Sequence, residues 1–361
     1  MVYPIKGHTC ALIHLFFFYS FAFLAPSHAW QSGYVNVLNA SLASDNFFVL
    51  SDLGAWHGLA LPRAPTTAAI GGPFIHGGTG LIADAILQYV FPSSTNCDDF
   101  VRTDTPSSIH QGSACPGATT AGNALFPGLL VSWAQASFIN VSLSSFFISS
   151  RSAATQITIT NIDRNTSHPI AWQLHGGLNS ATKAHLSQAE NVLVWILGEN
   201  LPSSPRLVLS FDPSDRVKCD ILGNAYNASW GTPSSLQPQV SLSSYVLLSY
   251  YFNASEMELE QPLLAKFFVD PISVYNRSNA RWNQYITSVT PSSLSSQDKW
   301  LAVKAVCTLI TNWRSAAGVY YHGGLYPSFI NYQGFWAWYG EEGLGEKKEQ
   351  NEQMLHVANR L

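Results

Sequence analysis

Val246-Leu-Leu-Ser-Tyr-Tyr-Phe-Asn-Ala-Ser-Glu-Met-Glu-Leu-Glu-Gln-Pro-Leu-Leu-Ala-Lys-Phe-Phe268 changes character midway, and that change decides the fold. Val246–Tyr250 is a short apolar run of the kind that forms a buried strand, whereas Glu256–Phe268 is rich in helix formers. Pro262 must sit in the first turns of that helix or break it, because proline lacks an N–H and its ring meets the carbonyl four residues back.

Upstream of Ser255 the chain reads as strands. Short apolar or alternating stretches recur at Phe47–Leu50, Phe126–Val131, Val141–Ile148, Ile157–Ile159, Val192–Ile196 and Leu207–Phe211. Turn-forming clusters such as Asn161–Asn165 and Ser203–Pro205 separate them, and no fixed-period repeat is visible. Many short strands with turns between them predict an antiparallel β-sandwich.

Downstream the period changes. Tyr275, Trp282, Ile286 and Val289 fall three to four residues apart and stop before Pro291. Ser295 and Asp298 form a capping-box-like start, after which Trp300, Val303, Val306, Ile310 and Trp313 share one face. Such a stripe needs partner helices, and few residues follow to supply them, so a sandwich followed by the opening of an incomplete helical domain is expected.

Composition narrows the function. Hydrophobic residues make up 47% and charged residues 11%, with a net charge of −4, so the chain has cores to fill and no basic surface for a phosphate backbone. Nucleic acid is therefore not an expected partner. The aromatic share of 13% suits sugar stacking and core packing equally.

The N-terminus carries an address. Lys6 precedes an apolar run from Ala11 to Ala25, and Ser27 and Ala29 then stand at −3 and −1 of a cut after Ala29. This is the pattern of a cleaved signal peptide over residues 1–29, and the run is short of the ~20 residues a spanning anchor needs. No membrane association is expected after cleavage. Asn39, Asn140, Asn165, Asn227, Asn253 and Asn276 each begin an Asn-X-Ser/Thr acceptor, which fits a glycosylated secretory-pathway protein. Cys97 and Cys115 flank a loop-like stretch and are the candidate disulfide, the alternative being free thiols there and at Cys219 and Cys307.

Four segments resemble glycoside hydrolase family 63. Asn312-Trp-Arg-Ser-Ala-Ala-Gly318, His322-Gly-Gly-Leu-Tyr-Pro-Ser328 and Gly334-Phe-Trp-Ala-Trp338 are similar to the start of that family's catalytic domain. Asp52-Leu-Gly-Ala-Trp-His-Gly58, followed by Leu61-Pro62, resembles a segment in the N-terminal domain of its bacterial α-glucosidases. The similarity runs in the same order from about Tyr34 to Trp338. It implies a super-β-sandwich over 30–254, a helical linker over 255–295, and the start of an (α/α)6 barrel over 296–338. It also implies α-glycoside hydrolysis with inversion by two carboxyl groups about 6.5–9.5 Å apart, with no cofactor or metal.

The same resemblance raises a difficulty. In the family an aspartate acts as general acid directly after Trp-Ala-Trp, and here that position is Tyr339. A phenol with an ordinary pKa near 10 is a poor acid for this work. Glu341 and Glu342 are displaced by two or three residues, and the family's base lies farther downstream than this sequence extends. The family's His-Asp-Gly also reads His322-Gly323-Gly324. Residues 339–361 form a charged tail unlike the rest of the chain, so an incomplete, inactive product is expected.

Phe335, Trp336 and Trp338 are the candidates for a sugar-stacking wall, with core packing as the alternative. Trp56 and His57, beside Asp52, either border the sugar site or serve a buried interface. Gly78-Thr-Gly80 with Ala83 is a lone G-x-G-x-x-A without a convincing strand before it, and the histidines show no metal-ligand spacing. Two functions stay open: an α-glucosidase-like hydrolase acting on a carbohydrate, and a non-catalytic carbohydrate-binding sandwich.

Overall fold

The structure is a computed structural model that describes residues 49–60, 69–75, 86–90, 118–136, 138–170, 173–178, 183–229, 234–318 and 323–325. In chain order the strands are β1 (Val49–Leu50), β2 (His57–Ala60), β3 (Ala69–Ile75), β4 (Ile86–Val90), β5 (Ala118–Phe126), β6 (Leu129–Ala136) and β7 (Ile139–Phe147). There follow β8 (Ser152–Asn161), β9 (His168–Ile170), β10 (Gln173–Gly177), β11 (Ala184–Ala189), β12 (Val192–Leu197) and β13 (Arg206–Phe211). Next come β14 (Lys218–Leu222), β15 (Ala225–Ser229), β16 (Ser234–Leu236) and β17 (Ser241–Tyr251). Three helices, α1 (Ala254–Val269), α2 (Pro271–Val289) and α3 (Ser296–Asn312), precede the short β18 (Trp313–Arg314) and β19 (Gly324–Leu325).

The strands form the expected sandwich. One sheet has seven strands in the order β1-β2-β3-β4-β10-β15-β14, and the other has eight in the order β11-β12-β13-β17-β8-β7-β6-β5. Strand β7 shows why the chain folds this way: Val141, Leu143 and Phe147 point into the core between the sheets, while Asn140, Ser142 and Ser144 lie on the outer face. Phe146 breaks that alternation because part of the outer face is covered as well. There Ala124, Phe126, Leu129, Val131, Phe146, Ala154 and Leu247 pack against Leu264 and Phe267 of α1, with Val274 and Tyr275 of α2 beside them.

Three expectations need correction. Phe126–Val131 is a tight hairpin rather than one strand: β5 ends at Phe126, β6 begins at Leu129, and Gly128 between them has φ +77°. Pro262 lies well inside α1 without ending it. The burial of Leu264 and Phe267 against the sheet outweighs the lost backbone hydrogen bond. The apolar stripe of α3 is also not left bare, for Val303 and Val306 join the sandwich core alongside Trp282 and Ile286 of α2, and α3 packs against β1.

The helix starts are as the sequence implies. The Ser295 hydroxyl caps α3 by accepting from the Asp298 N–H, and Asn253 caps α1 by accepting from the Glu256 N–H. Among the described residues no helix is long and apolar enough to cross a membrane.

Candidate functional site

Two of the segments singled out in the sequence, Asp52–Gly58 and Asn312–Gly318, meet face to face although they lie more than 250 residues apart. The first is the turn after β1. Its Ala55 N–H donates to the Asp52 carbonyl at 3.0 Å, and Leu53 and Gly54 take left-handed conformations at φ +54° and +74°. Asp52 is fully buried and acts as the hub of this turn. Its carboxylate accepts from the Leu53 N–H at 2.6 Å, from both Arg281 terminal nitrogens at 2.8 and 2.6 Å, and from the Trp282 indole N–H at 2.7 Å. A two-pronged guanidinium and an indole suit a carboxylate that has left water. Trp282 in turn lies on the β5–β6 hairpin, where a Cβ at Gly128 would fall 2.0 Å from its Nε1.

The second segment is the exit from α3. The Ser315 N–H donates to the Gly54 carbonyl at 2.8 Å, the Ser315 hydroxyl donates to the same carbonyl at 3.0 Å, and the Trp56 indole N–H donates to the Ser315 carbonyl at 2.8 Å. Arg314 is fully buried, and its Nη1 donates to the carbonyls of Thr311 and Trp313 at 2.7 and 2.6 Å. Arg151, in the β7–β8 turn, reaches the Ala316 carbonyl at 3.2 Å and the Ser315 hydroxyl at 3.4 Å. It is held by Glu256 of α1 at 3.0 Å, and Glu256 also accepts from the Gly318 N–H at 2.9 Å. The segment leading to residue 319 is thus tied to both sheets and to α1.

Chemically this junction positions groups and offers no proton donor. Asp52 is closed in by its four donors, and Glu256 is committed to Arg151, Gly318 and the Phe252 N–H. Trp56 is 2% exposed and stands edge-on to Phe252. His57 is 0% exposed, against Phe147 and Tyr250. Neither ring nitrogen of His57 makes a well-formed hydrogen bond. Burial pushes its pKa down to about 3, offset only in part by the Leu248 backbone, and Arg314 and Arg151 lower it further. The structure places both rings in buried contacts.

The other sequence candidates divide between described residues and the rest. Phe335, Trp336, Trp338, Tyr339, Cys97, Cys115, Asn39 and the signal segment lie outside the described residues. Asn165 and Asn276 are exposed, Asn140 and Asn227 lie half-buried in β7 and β15, and the Asn253 side chain is the α1 cap. Cys219 and Cys307 are free thiols, pushed up to about 11 and about 12 chiefly by burial, and so are poor nucleophiles near neutrality. Among the described residues no group of three or more His, Cys, Asp or Glu could hold a metal ion. Sequence reasoning missed Arg151, Glu256, Arg281 and Trp282. The available signal was a cation beside a tryptophan on the apolar side of a helix, in a chain with only 11% charged residues.

No protein-family model matches the chain. A protein described as a kojibiose phosphorylase from the human microbiome superposes with a TM-score of 0.50 at 10% identity, over 78% of this chain and 41% of its own. A family GH92 inverting mannosidase from Bacteroides thetaiotaomicron gives a TM-score of 0.41 at 9% identity, over 76% and 38% of the two chains. This chain therefore spans about two fifths of the length of either protein. The first likeness shows a shared fold for the sandwich and its following helices, a fold found in a carbohydrate-active protein.

Proposed function

We propose that this chain is the sandwich and junction part of an inverting α-glucosidase-like hydrolase of the glycoside hydrolase family 63 type. The observation that carries the reading is the docking of Asp52–Gly58 onto Asn312–Gly318, two of the segments that resemble the family. On this reading the sandwich fixes the start of the barrel-forming segment, and Phe335, Trp336 and Trp338 follow as the sugar-stacking wall. The substrate is an α-glucoside or a related oligosaccharide, reached through the secretory route after cleavage after Ala29, with glycans on several of the six acceptor asparagines.

The 361-residue chain does not itself turn over such substrates, because Tyr339 stands where the family places its acid. General acid catalysis alone is worth about 10²–10⁴-fold. The test is release of glucose or mannose from kojibiose, maltose, α-mannobiose and glycosylglycerates, with and without inorganic phosphate. No release is expected in either arm. Turnover at about 1–10³ per second would overturn the inactivity. Release only with phosphate would move the reaction class to phosphorolysis.

A further inference from the structure

Five of the six acceptor asparagines fall among the described residues, and the fold sets them in unlike places. Asn165 lies in the turn between β8 and β9 and is exposed together with Arg164 and Thr166. Asn276 lies on α2 and is also exposed. Asn140 and Asn227 lie half-buried within β7 and β15, and the Oδ1 of each is shut off from solvent without a hydrogen-bond partner.

We propose that Asn165 and Asn276 are the residues that carry N-linked oligosaccharides in the folded protein, and that Asn140 and Asn227 stay bare. The inference rests on the secretory-route part of the proposed function. In the transfer, Nδ2 of the asparagine attacks C1 of an oligosaccharide held on a polyprenyl pyrophosphate. The C1–O bond to the pyrophosphate breaks, a C1–N bond forms, Nδ2 gives up one proton, and the lipid pyrophosphate leaves. The Asn-X-Ser/Thr pattern makes each residue a candidate, but the product is bulky and needs a place at the surface.

The Asn165 turn supplies that place. The Asp163 carboxylate accepts from the Asn165 N–H at 2.9 Å and the Thr166 N–H at 3.2 Å, and its other oxygen meets His168 Nε2 at 3.0 Å. Gln239 Nε2 donates to the carbonyls of Ile162 and Asp163 at 2.8 and 3.1 Å, and Asn161 Nδ2 donates to that of Thr166 at 2.9 Å. These bonds hold the turn without the Asn165 carboxamide, so a sugar can be added there without loosening it. On α2, Asn276, Ala280, Asn283, Gln284 and Thr287 are all exposed and share one side of the helix, opposite the buried Ser278, Trp282 and Ile286. Between Asn276 and Thr287 that side carries no large apolar residue, so a glycan there displaces no packing.

The strand acceptors lack this room. Neighbouring strands run about 4.8 Å apart. Asn140 stands between Gln135 and Thr160, and Asn227 between His175 and Asp220. The buried Oδ1 fixes each amide down on its sheet, so Nδ2, on the same carbon, would carry a pyranose across those neighbours. Asn253 does not bear on the contrast, because its cap of α1 uses the carboxamide oxygen and leaves the nitrogen free.

The test expresses the full chain in a glycosylating host, once with its own leader and once with residues 1–29 replaced by a leader of known secretion. Glycosidase release in heavy-oxygen water, followed by peptide mass spectrometry, reads each acceptor separately. In the secreted, folded protein Asn165 and Asn276 should be occupied about tenfold or more above Asn140 and Asn227. Asn165→Gln and Asn276→Gln should each remove one step from the gel mobility shift, and Asn140→Gln and Asn227→Gln none. Occupancy at Asn140 or Asn227 equal to that at Asn165 overturns the proposal, as do bare Asn165 and Asn276 with the replaced leader. Glycans on Asn165 and Asn276 with the replaced leader alone support the proposal and overturn only the chain's own secretory address.

Discussion

The Ser315 backbone N–H donates to the carbonyl of Gly54 at 2.8 Å across 261 residues of sequence, so the first described turn and the last described helix exit are one structural unit. A Cβ on Gly54 would fall 2.5 Å from the Ser315 nitrogen, in a backbone at φ +74°. Gly54→Ala should therefore destabilise the protein by about 2–4 kcal/mol, combining left-handed strain with a separated junction. Gly198→Ala is the control, since Gly198 has φ +80° but nothing within 4 Å, and should cost only about 1 kcal/mol. Urea midpoints of the two variants check this. Equal losses would mean the contact contributes nothing beyond backbone strain.

Asp52 and Arg281 form a pair in which the carboxylate side chain is 0% exposed and the guanidinium 22%. Removing one partner of a buried pair costs about 3–5 kcal/mol because the other charge stays behind uncompensated. Arg281→Met should sit toward the upper end of that range, because it leaves the fully buried carboxylate behind, and Asp52→Ala toward its lower end, because the guanidinium it leaves is 22% exposed. Asp52→Ala combined with Arg281→Met should lose less than the sum of the two single changes by about 1 kcal/mol or more. Strict additivity in denaturant unfolding would show that the pair is not coupled.

His57 supplies a pH signature. Its folded pKa of about 3 lies below the unfolded 6.5, so the unfolded chain takes up the proton first as pH falls. Stability is undiminished by this group above 6.5 and is lost progressively between 6.5 and 3, by about 1.4 kcal/mol per pH unit at most. His57→Leu keeps an apolar side chain against Phe147 and Tyr250 and should flatten that slope without loss at pH 7. Parallel slopes for wild type and variant from pH 6.5 to 4 would remove His57 as the cause.

The sheets were legible in the sequence where one face is wet. Val141, Leu143 and Phe147 alternate with Asn140, Ser142 and Ser144, and period two is all a half-buried strand requires. The runs that do not alternate, Phe146–Phe147, Leu129–Val131 and Val246–Leu248, mark where α1 and α2 cover the second face. Continuous apolarity signals burial on both sides but cannot say by what. The Pro127–Gly128 turn was hidden for the same reason, since Phe126–Val131 is apolar on either side of it. The junction showed only its ends. Asp52-Leu-Gly-Ala-Trp and Trp-Arg-Ser-Ala stood out as motifs, but nothing local couples Asp52 to Arg281 or Trp56 to the Ser315 carbonyl. Such pairings arise from the way strands and helices stack, which no window along the chain contains.

Pro262 tests how far tertiary packing overrides local preference. It lies inside α1 and removes the N–H that would reach the carbonyl of Glu258, a cost of about 3 kcal/mol in a helix interior. The helix persists because Leu264 and Phe267, one turn on, are buried against Phe146 and Leu247 of the sheet. The proline ring itself is exposed, so replacing it removes no packing. Pro262→Ala should accordingly stabilise the protein by about 1–3 kcal/mol, with the gain reduced by the extra freedom alanine gives the unfolded chain. Thermal and urea unfolding of the full chain measure it, and slowed amide exchange over residues 258–266 would locate the new hydrogen bond. A loss of stability would show instead that the bend at Pro262 is what seats Leu264 and Phe267 on the outer face of the sheet.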